Sequence, residues 1–255
     1  VPAGAEKLDF RAIQAFDADS AIAMSAGTGD LSKLFKTTDG CRTWKLVLAN
    51  PDAKGFWDGL RFIGRVGVLI GDPVDGAFPL FVSIDGGETW KRRSAPAAAN
   101  QSLFAASNTS LLTDSKSIYF VTGGVAAFIA DGVQTPLPLA SGEAAGGFSL
   151  ASRGDGVFVA VGGDYKKPDE TAGTAVFRGS DGIWHAAEVP PHGYRSAVAY
   201  DSARKSWIAV GPNGTDISAD DGRTWKPLPD AEKNWNAVSL PLAVGSRGRI
   251  GKLAP

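Results

Sequence analysis

The chain contains a single cysteine, Cys41, a single methionine and two histidines, His185 and His192, in 255 residues. One cysteine excludes an intrachain disulfide and any zinc site built on several thiolates. No apolar run approaches the roughly 18 residues of a transmembrane helix, so no membrane span is expected. An excess of charge is also lacking. The 26 basic and 27 acidic residues leave a net charge of −1, which provides no global field to draw nucleic acid or an anionic membrane surface. Long apolar periods of helical type are missing as well, whereas 32 Gly and 15 Pro are present. That balance predicts many short strands joined by turns, with almost no helix. Val1-Pro2-Ala3 begins without an initiator Met or a signal peptide, which predicts a removed leader or a portion of a longer chain.

What the sequence does have is a turn that recurs. Ser83-Ile84-Asp85-Gly86-Gly87-Glu88-Thr89-Trp90 returns as Ser218-Ala219-Asp220-Asp221-Gly222-Arg223-Thr224-Trp225, and more loosely as Thr37-Thr38-Asp39-Gly40-Cys41-Arg42-Thr43-Trp44. Each copy reads as a tight hairpin. The Asp side chain accepts backbone N–H groups, Gly takes a φ that other residues resist, and Trp opens the next strand. Cys41 then fills a turn position where the other copies carry Gly. Asp181-Gly182 with Trp184 keeps a worn version of the signal, and Ala130-Asp131-Gly132 keeps it without the Trp.

Around these turns one pattern repeats: an aromatic-polar-small start, a second strand ending in Gly, a third strand into the Asp turn, and a fourth strand. The starts fall at Phe10-Arg11-Ala12, Trp57-Asp58-Gly59, Phe104-Ala105-Ala106, Phe148-Ser149-Leu150, Tyr194-Arg195-Ser196 and Trp235-Asn236-Ala237. Prolines after the turns, Pro51, Pro96, Pro190, Pro227 and Pro229, suit the ends of edge strands that need no further donors. A period of about 46 residues with four strands per unit is that of propeller blades. The fold class is therefore all-β: a single β-propeller domain over residues 1–255, with repeats at about 9–50, 56–96, 101–139, 145–190, 193–229 and 234–255. Six repeats are recognisable, the last has three strands, and the count allows a six- or a seven-bladed molecule.

The turn Ser-x-Asp-x-Gly-x-x-Trp is the Asp box, and the sequence resembles the Asp-box (BNR) propellers. The likeness is strongest to the branch similar to the photosystem II stability and assembly factor. Phe10-Arg11-Ala12-Ile13, Gly71-Asp72-Pro73-Val74-Asp75-Gly76, Gly162-Gly163-Asp164-Tyr165 and Trp235-Asn236-Ala237-Val238 all read like that branch. The resemblance implies an exported (periplasmic or extracellular) protein, generally seven-bladed, that acts by binding partners. It is more distantly similar to sialidases, which makes a glycoside hydrolase or glycan-binding propeller the alternative function. A sialidase needs converging arginines, a Tyr nucleophile paired with Glu, and an acid/base Asp. Ala12 and Ile13 depart from the sialidase start, and none of Tyr119, Tyr165, Tyr194 and Tyr200 stands in an evident Glu-paired setting.

The expected function is a non-catalytic binding or assembly scaffold. Its partner is a protein or peptide recognised at a polar channel mouth formed by Arg11, Asp58, Ser149, Arg195 and Asn236, the residues that follow the starting aromatics. Arg11 and Arg195 would bind carboxylates in bidentate fashion. Ala105 takes the same place in the third repeat. The structural set is Asp39, Trp44, Ser83, Asp85, Gly87, Trp90, Asp181, Trp184, Ser218, Asp220, Gly222 and Trp225, whose tryptophans hold blades together. No cofactor and no metal are expected, because two acids, Asp72 and Asp75, in a Gly-rich turn fall short of a calcium ligand set. A glycan is the alternative ligand, nucleic acid is excluded, and a monomer is expected. The polar loop Asp164–Thr171 is a second candidate binding element.

Overall fold

The computed structural model describes residues 1–114, 116–228 and 233–253. Pro229 and the last two residues of the sixth repeat lie outside the described residues. Six antiparallel sheets follow one another along the chain, each a meander of the blade type. Blade 1 comprises Asp9–Ala15, Ala21–Ala26, Lys33–Thr37 and Lys45–Ala49, and blade 2 comprises Trp57–Ile63, Val66–Gly71, Ala77–Ser83 and Lys91–Pro96. Blade 3 is formed by Leu111–Thr113, Ile118–Val121, Ala127–Ala130 and Val133–Pro136. Blade 4 uses Gly142–Gly154, Val157–Asp164, Ala175–Arg178 and Trp184–Ala186, extended by the short strands Gly123–Gly124 and Gln101–Ser102. Blade 5 is Ala197–Asp201, Ser206–Gly211, Gly214–Ser218 and Lys226–Pro227. Blade 6 has three strands, Trp235–Ser239, Leu242–Gly245 and Arg249–Lys252. Helix is confined to the single 3-10 turns Gly29–Leu31 and Ser246–Gly248 among the described residues.

The strands cluster into two compact units. One contains Val1–Ala99 with Thr113–Tyr119, and the other contains Asn100–Leu112 with the described residues from Phe120 onward. In the first unit the core is Ile22, Met24, Leu34, Trp57, Leu60, Phe62, Leu69 and Phe81, drawn from blades 1 and 2. In the second, Val159, Val161, Phe177, Val198, Trp207, Ala209 and Trp225 join blades 4 and 5. Ala197, Ile208, Val210, Trp235 and Val238 join blades 5 and 6.

The three Asp turns close by the same bonds, and those bonds explain the motif. Ser83 Oγ donates to Asp85 Oδ1 at 2.8 Å and accepts the Gly87 N–H at 2.8 Å. Asp85 then accepts the Thr89 N–H at 3.0 Å and its hydroxyl at 2.5 Å. Thr37, Cys41 and Thr43 around Asp39 repeat this, as do Ser218, Gly222 and Thr224 around Asp220. The position two residues after each Asp takes φ 84° at Gly87, 83° at Gly222 and 66° at Cys41, so glycine suits it and Cys41 tolerates it. In the worn fourth turn Asp181 accepts the Ile183 N–H at 3.0 Å and meets His185 Nε2 at 2.9 Å.

These bonds go to the ionised carboxylate, so they make the turns acid-sensitive. The hydroxyl and then the N–H of Thr43 hold Asp39 at about 2, down from an ordinary 3.8. The folded-state value is the lower one. The contribution of the turn is therefore complete above the ordinary value and is lost as pH falls through about 2. Acid titration of the folded state should show Asp39→Asn to be less stable than the parent at neutral pH, with the difference shrinking toward pH 2. A constant difference across that range would contradict this origin.

Two expectations about packing need correction. Trp225 and Trp184 are buried, but Trp44 and Trp90 are only half-buried, although all four stand at the start of a fourth strand. The third repeat does not begin a strand at Phe104. Ala105 lies in a turn, the first strand of blade 3 starts at Leu111, and Phe104 instead stacks on Phe148 at 3.9 Å.

Candidate functional site

The register of the first two strands decides where the residues after the starting aromatics go. In blades 1, 2 and 6 the pairing skips one residue, and the skipped residues are Arg11, Asp58 and Asn236. Each is thus the extra residue of a β-bulge, which re-aims a side chain out of the regular alternation. Blade 4 skips Phe148, and Ser149 pairs in register with Val161. A glycine at or near the end of the second strand packs on a carbonyl oxygen at or before the start of the first: a methyl on Gly71, Gly162, Gly211 or Gly245 would sit 2.3, 1.8, 2.4 or 2.3 Å from the oxygen of Phe56, Gly146, Tyr194 or Asn234. That shared contact sets the alignment. Arg195, which follows Tyr194, stands in the register of Trp57 and Trp235, one place ahead of the bulge residues.

The third strands keep one register with the second strands in blades 1, 2 and 5. Two residues before Thr37, Ser83 and Ser218 stand Phe35, Phe81 and Asp216. Phe10 packs on Phe35 with ring centroids 5.9 Å apart, and Trp57 packs on Phe81 at 5.7 Å. At the corresponding place blade 5 carries Arg195 and Asp216 instead. An ion pair occupies the place of an aromatic pair.

Both partners have fully buried side chains. Arg195 Nε donates to Asp216 Oδ2 at 2.7 Å, and Nη2 donates to the same oxygen in a very short contact. Nη1 donates to the Tyr194 carbonyl at 2.7 Å and to Asn213 Oδ1 at 2.5 Å. Burial pushes the guanidinium down from its usual value, and the charge of Asp216 opposes that shift. His192 sits over the pair with its side chain 35% exposed. Its Nδ1 lies 2.8 Å from Asp216 Oδ1 and 2.8 Å from Arg195 Nη2, while Nε2 lies 3.2 Å from the Asn213 carbonyl. Asn213 Nδ2 donates to the carbonyls of Pro168 and His192, both at 3.0 Å, and to Asp169 Oδ1 at 3.2 Å. The polar loop is thereby tied to the ion pair.

Above this network opens a cavity of about 420 Å³ lined by Asp169, His192, Asn213, Gly214, Thr215, Pro227, Leu228 and Lys233. It offers an imidazole, an amide, a carboxylate and an ammonium group over an apolar shelf of Pro227 and Leu228. Donors and acceptors therefore line one space.

No family model matches the chain, and no curated protein matches it. Solved structures do. The chain is a β-propeller. It is similar to YCF48 bound to D1 peptide, at 15% identity and a TM-score of 0.55, covering 86% of this chain and 66% of that one. YCF48 from Cyanidioschyzon merolae aligns at 16% identity and a TM-score of 0.54, covering 86% of this chain and 70% of that one. A GH74 xyloglucanase from Xanthomonas campestris aligns at 18% identity and a TM-score of 0.51, over 87% of this chain and 38% of the enzyme. The chain thus spans about two thirds of the YCF48 structures and well under half of the enzyme. Similarity at these identities concerns the fold, which hosts many functions.

The residues expected at the channel mouth differ in exposure and in partners. Arg11 is half-exposed and pairs with Asp9, its Nε donating to Asp9 Oδ2 at 2.8 Å, with Asp58 also within electrostatic reach. Asp58 is buried, and Ser149 is buried with its hydroxyl 2.7 Å from Thr109 and accepting the Val198 N–H at 2.9 Å. Asn236 is exposed. Arg195 is a correction: its guanidinium is spent on Asp216, Tyr194 and Asn213 and presents no surface to a carboxylate ligand. The residues that sequence reading missed are Asp216, His192 and Asn213. A signal for Asp216 existed in the lone acid aligned with Phe35 and Phe81.

Proposed function

We propose that the protein is a non-catalytic scaffold that binds a polypeptide segment in the cavity over the Arg195–Asp216 pair. The observation that carries this reading is the replacement of a blade's aromatic pair by a buried ion pair that anchors His192 at the cavity floor. A buried ion pair contributes little net stability compared with well-packed apolar side chains, so its value lies in what it orients. The amide, imidazole, carboxylate and ammonium groups around the cavity suit the alternating donors and acceptors of a peptide backbone, and Pro227 with Leu228 suits one apolar side chain. The similarity to YCF48, whose structure holds a D1 peptide, supports a polypeptide as the ligand class.

Hydrolysis of a glycoside fits the site less well. Burial, with the nearby Tyr165, raises the Tyr194 hydroxyl far above its ordinary value, which makes it a poor nucleophile. The buried Arg195 is likewise committed to Asp216.

Panning the protein on a peptide array tests the proposal. The parent should select a defined set of sequences, and His192→Ala should weaken them by about tenfold, the cost of one good contact, at a temperature where the variant, which also loses its bonds to the buried pair, remains folded. Equal binding by parent and variant, or turnover of a fluorogenic sialoside that disappears with Asp169→Ala, would overturn it.

A further inference from the structure

The fourth strand of blade 2, Lys91–Pro96, is the last in the order of its sheet among the described residues and pairs with Ala77–Ser83. Its first four residues, Lys91-Arg92-Arg93-Ser94, are all exposed. Arg92 is used: Nη1 donates to Asp52 Oδ1 at 2.6 Å, and the guanidinium lies over the Phe81 ring at 5.7 Å. Lys91 and Arg93 alternate with it onto the other face, and their side chains make no hydrogen bond or ion pair among the described residues. Beside them is a cavity of about 300 Å³ lined by Val82, Ile84, Thr89, Trp90, Lys91 and Arg93. The lining holds two cations and no anion.

The Asp turn does not require this composition. The position of Ile84 is Thr38 in one sister turn and Ala219 in the other, yet Ile84 leaves 77% of its surface in solvent. After the Trp, the sister strands continue Lys45-Leu46-Val47 and Lys226-Pro227, with no cluster of three cations. Trp90 is fixed from behind by the bond from Nε1 to the Gly87 carbonyl at 3.1 Å and by Phe62 at 5.8 Å. An indole held rigid and half-exposed between an exposed isoleucine and two unpaired cations is a preformed contact surface. The cations also disfavour pairing of this edge with the same edge of another copy, while leaving it open to a strand of opposite charge.

We propose that the edge from Ile84 to Ser94 is a second docking surface, distinct from the His192 cavity, for an extended acidic polypeptide segment. The segment lies alongside Lys91–Pro96, places carboxylates against Lys91 and Arg93, and inserts one apolar side chain between Ile84 and Trp90. Strand addition supplies backbone bonds common to all sequences, so acidity and the apolar anchor supply the selectivity.

Fluorescence anisotropy with a labelled extended peptide that carries two Glu and one Leu at alternate positions with Thr between them, so that all three share one face, against the same peptide with Lys for Glu, tests this on the intact chain. The acidic peptide should bind and the basic one should not, with affinity falling as salt rises. Lys91→Glu with Arg93→Glu should weaken binding by at least about tenfold, and Ile84→Ser should weaken it independently. Both variants should melt like the parent, since the side chains changed are exposed. Equal binding of the two peptides, affinity unchanged by charge reversal, or loss caused instead by His192→Ala would overturn the proposal. So would a salt-sensitive dimer removed by the same charge reversal with no peptide bound.

Discussion

Replacing Asp216 by alanine should destabilise the second compact unit by about 3–5 kcal/mol, the cost of leaving a buried charge without its partner. Arg195 has no exposed side-chain surface, and its Nε and Nη2 both rest on Asp216 Oδ2. It cannot swing to water without opening the contacts of Tyr194 and Asn213, so the charge remains buried and uncompensated. Asp216→Asn keeps an acceptor and should cost less. A double replacement, Arg195→Met with Asp216→Leu, should recover most of the loss, because an apolar pair restores what blades 1 and 2 already use at that place. Urea denaturation followed by tryptophan fluorescence reads the result, since Trp207 and Trp225 lie in the same unit. If Asp216→Ala costs less than about 1 kcal/mol, the pair is not the sealed floor described here.

The second large effect concerns the turn tryptophans, which are not alike. Trp225 is 2% exposed, packs among Val159, Val161, Phe177, Val198 and Trp207, and donates from Nε1 to the Gly222 carbonyl at 3.0 Å. Its loss empties a site lined by stiff neighbours, so Trp225→Ala should cost about 3–5 kcal/mol. Trp90 makes the equivalent bond to Gly87 but is half-buried, with one flank open to solvent. Trp90→Ala should cost about half as much, in proportion to the apolar area it hides. Denaturant midpoints for the two variants should fall in that order. A Trp90→Ala variant as unstable as Trp225→Ala would show that the fourth strands carry more of the packing than their exposure indicates.

The Asp turns were legible because their chemistry is local. Ser or Thr, Asp, Gly, Thr and Trp satisfy one another within each turn, so spacing alone discloses the geometry. The succession of strands was legible for a related reason: the glycines that close the second strands and the aromatics that open the first ones repeat with the blade. Arg195 was not, because its meaning depends on one residue of register and on Asp216 across the blade. Reading it as the residue after Tyr194 put it with Arg11, Asp58 and Asn236, whereas the packing of Gly211 on Tyr194 puts it with Trp57. Once Asp216 is aligned with Phe35 and Phe81, the coupled change becomes visible in the sequence itself. Ser149 was misplaced by the same single-residue shift, since Phe148 is the bulged residue of blade 4. The half-exposure of Trp44 and Trp90 was hidden for another reason: a motif states that a Trp begins the fourth strand, but not how much of that strand its neighbours cover.

The most direct test of polypeptide binding over the ion pair is hydrogen–deuterium exchange of the protein with and without the strongest peptide from the array. The account predicts slowed exchange in residues 164–171 and 192–195 and at Asn213–Thr215, the backbone that frames the His192 cavity. Protection confined to other parts of the chain, with these segments exchanging as in the free protein, would contradict it.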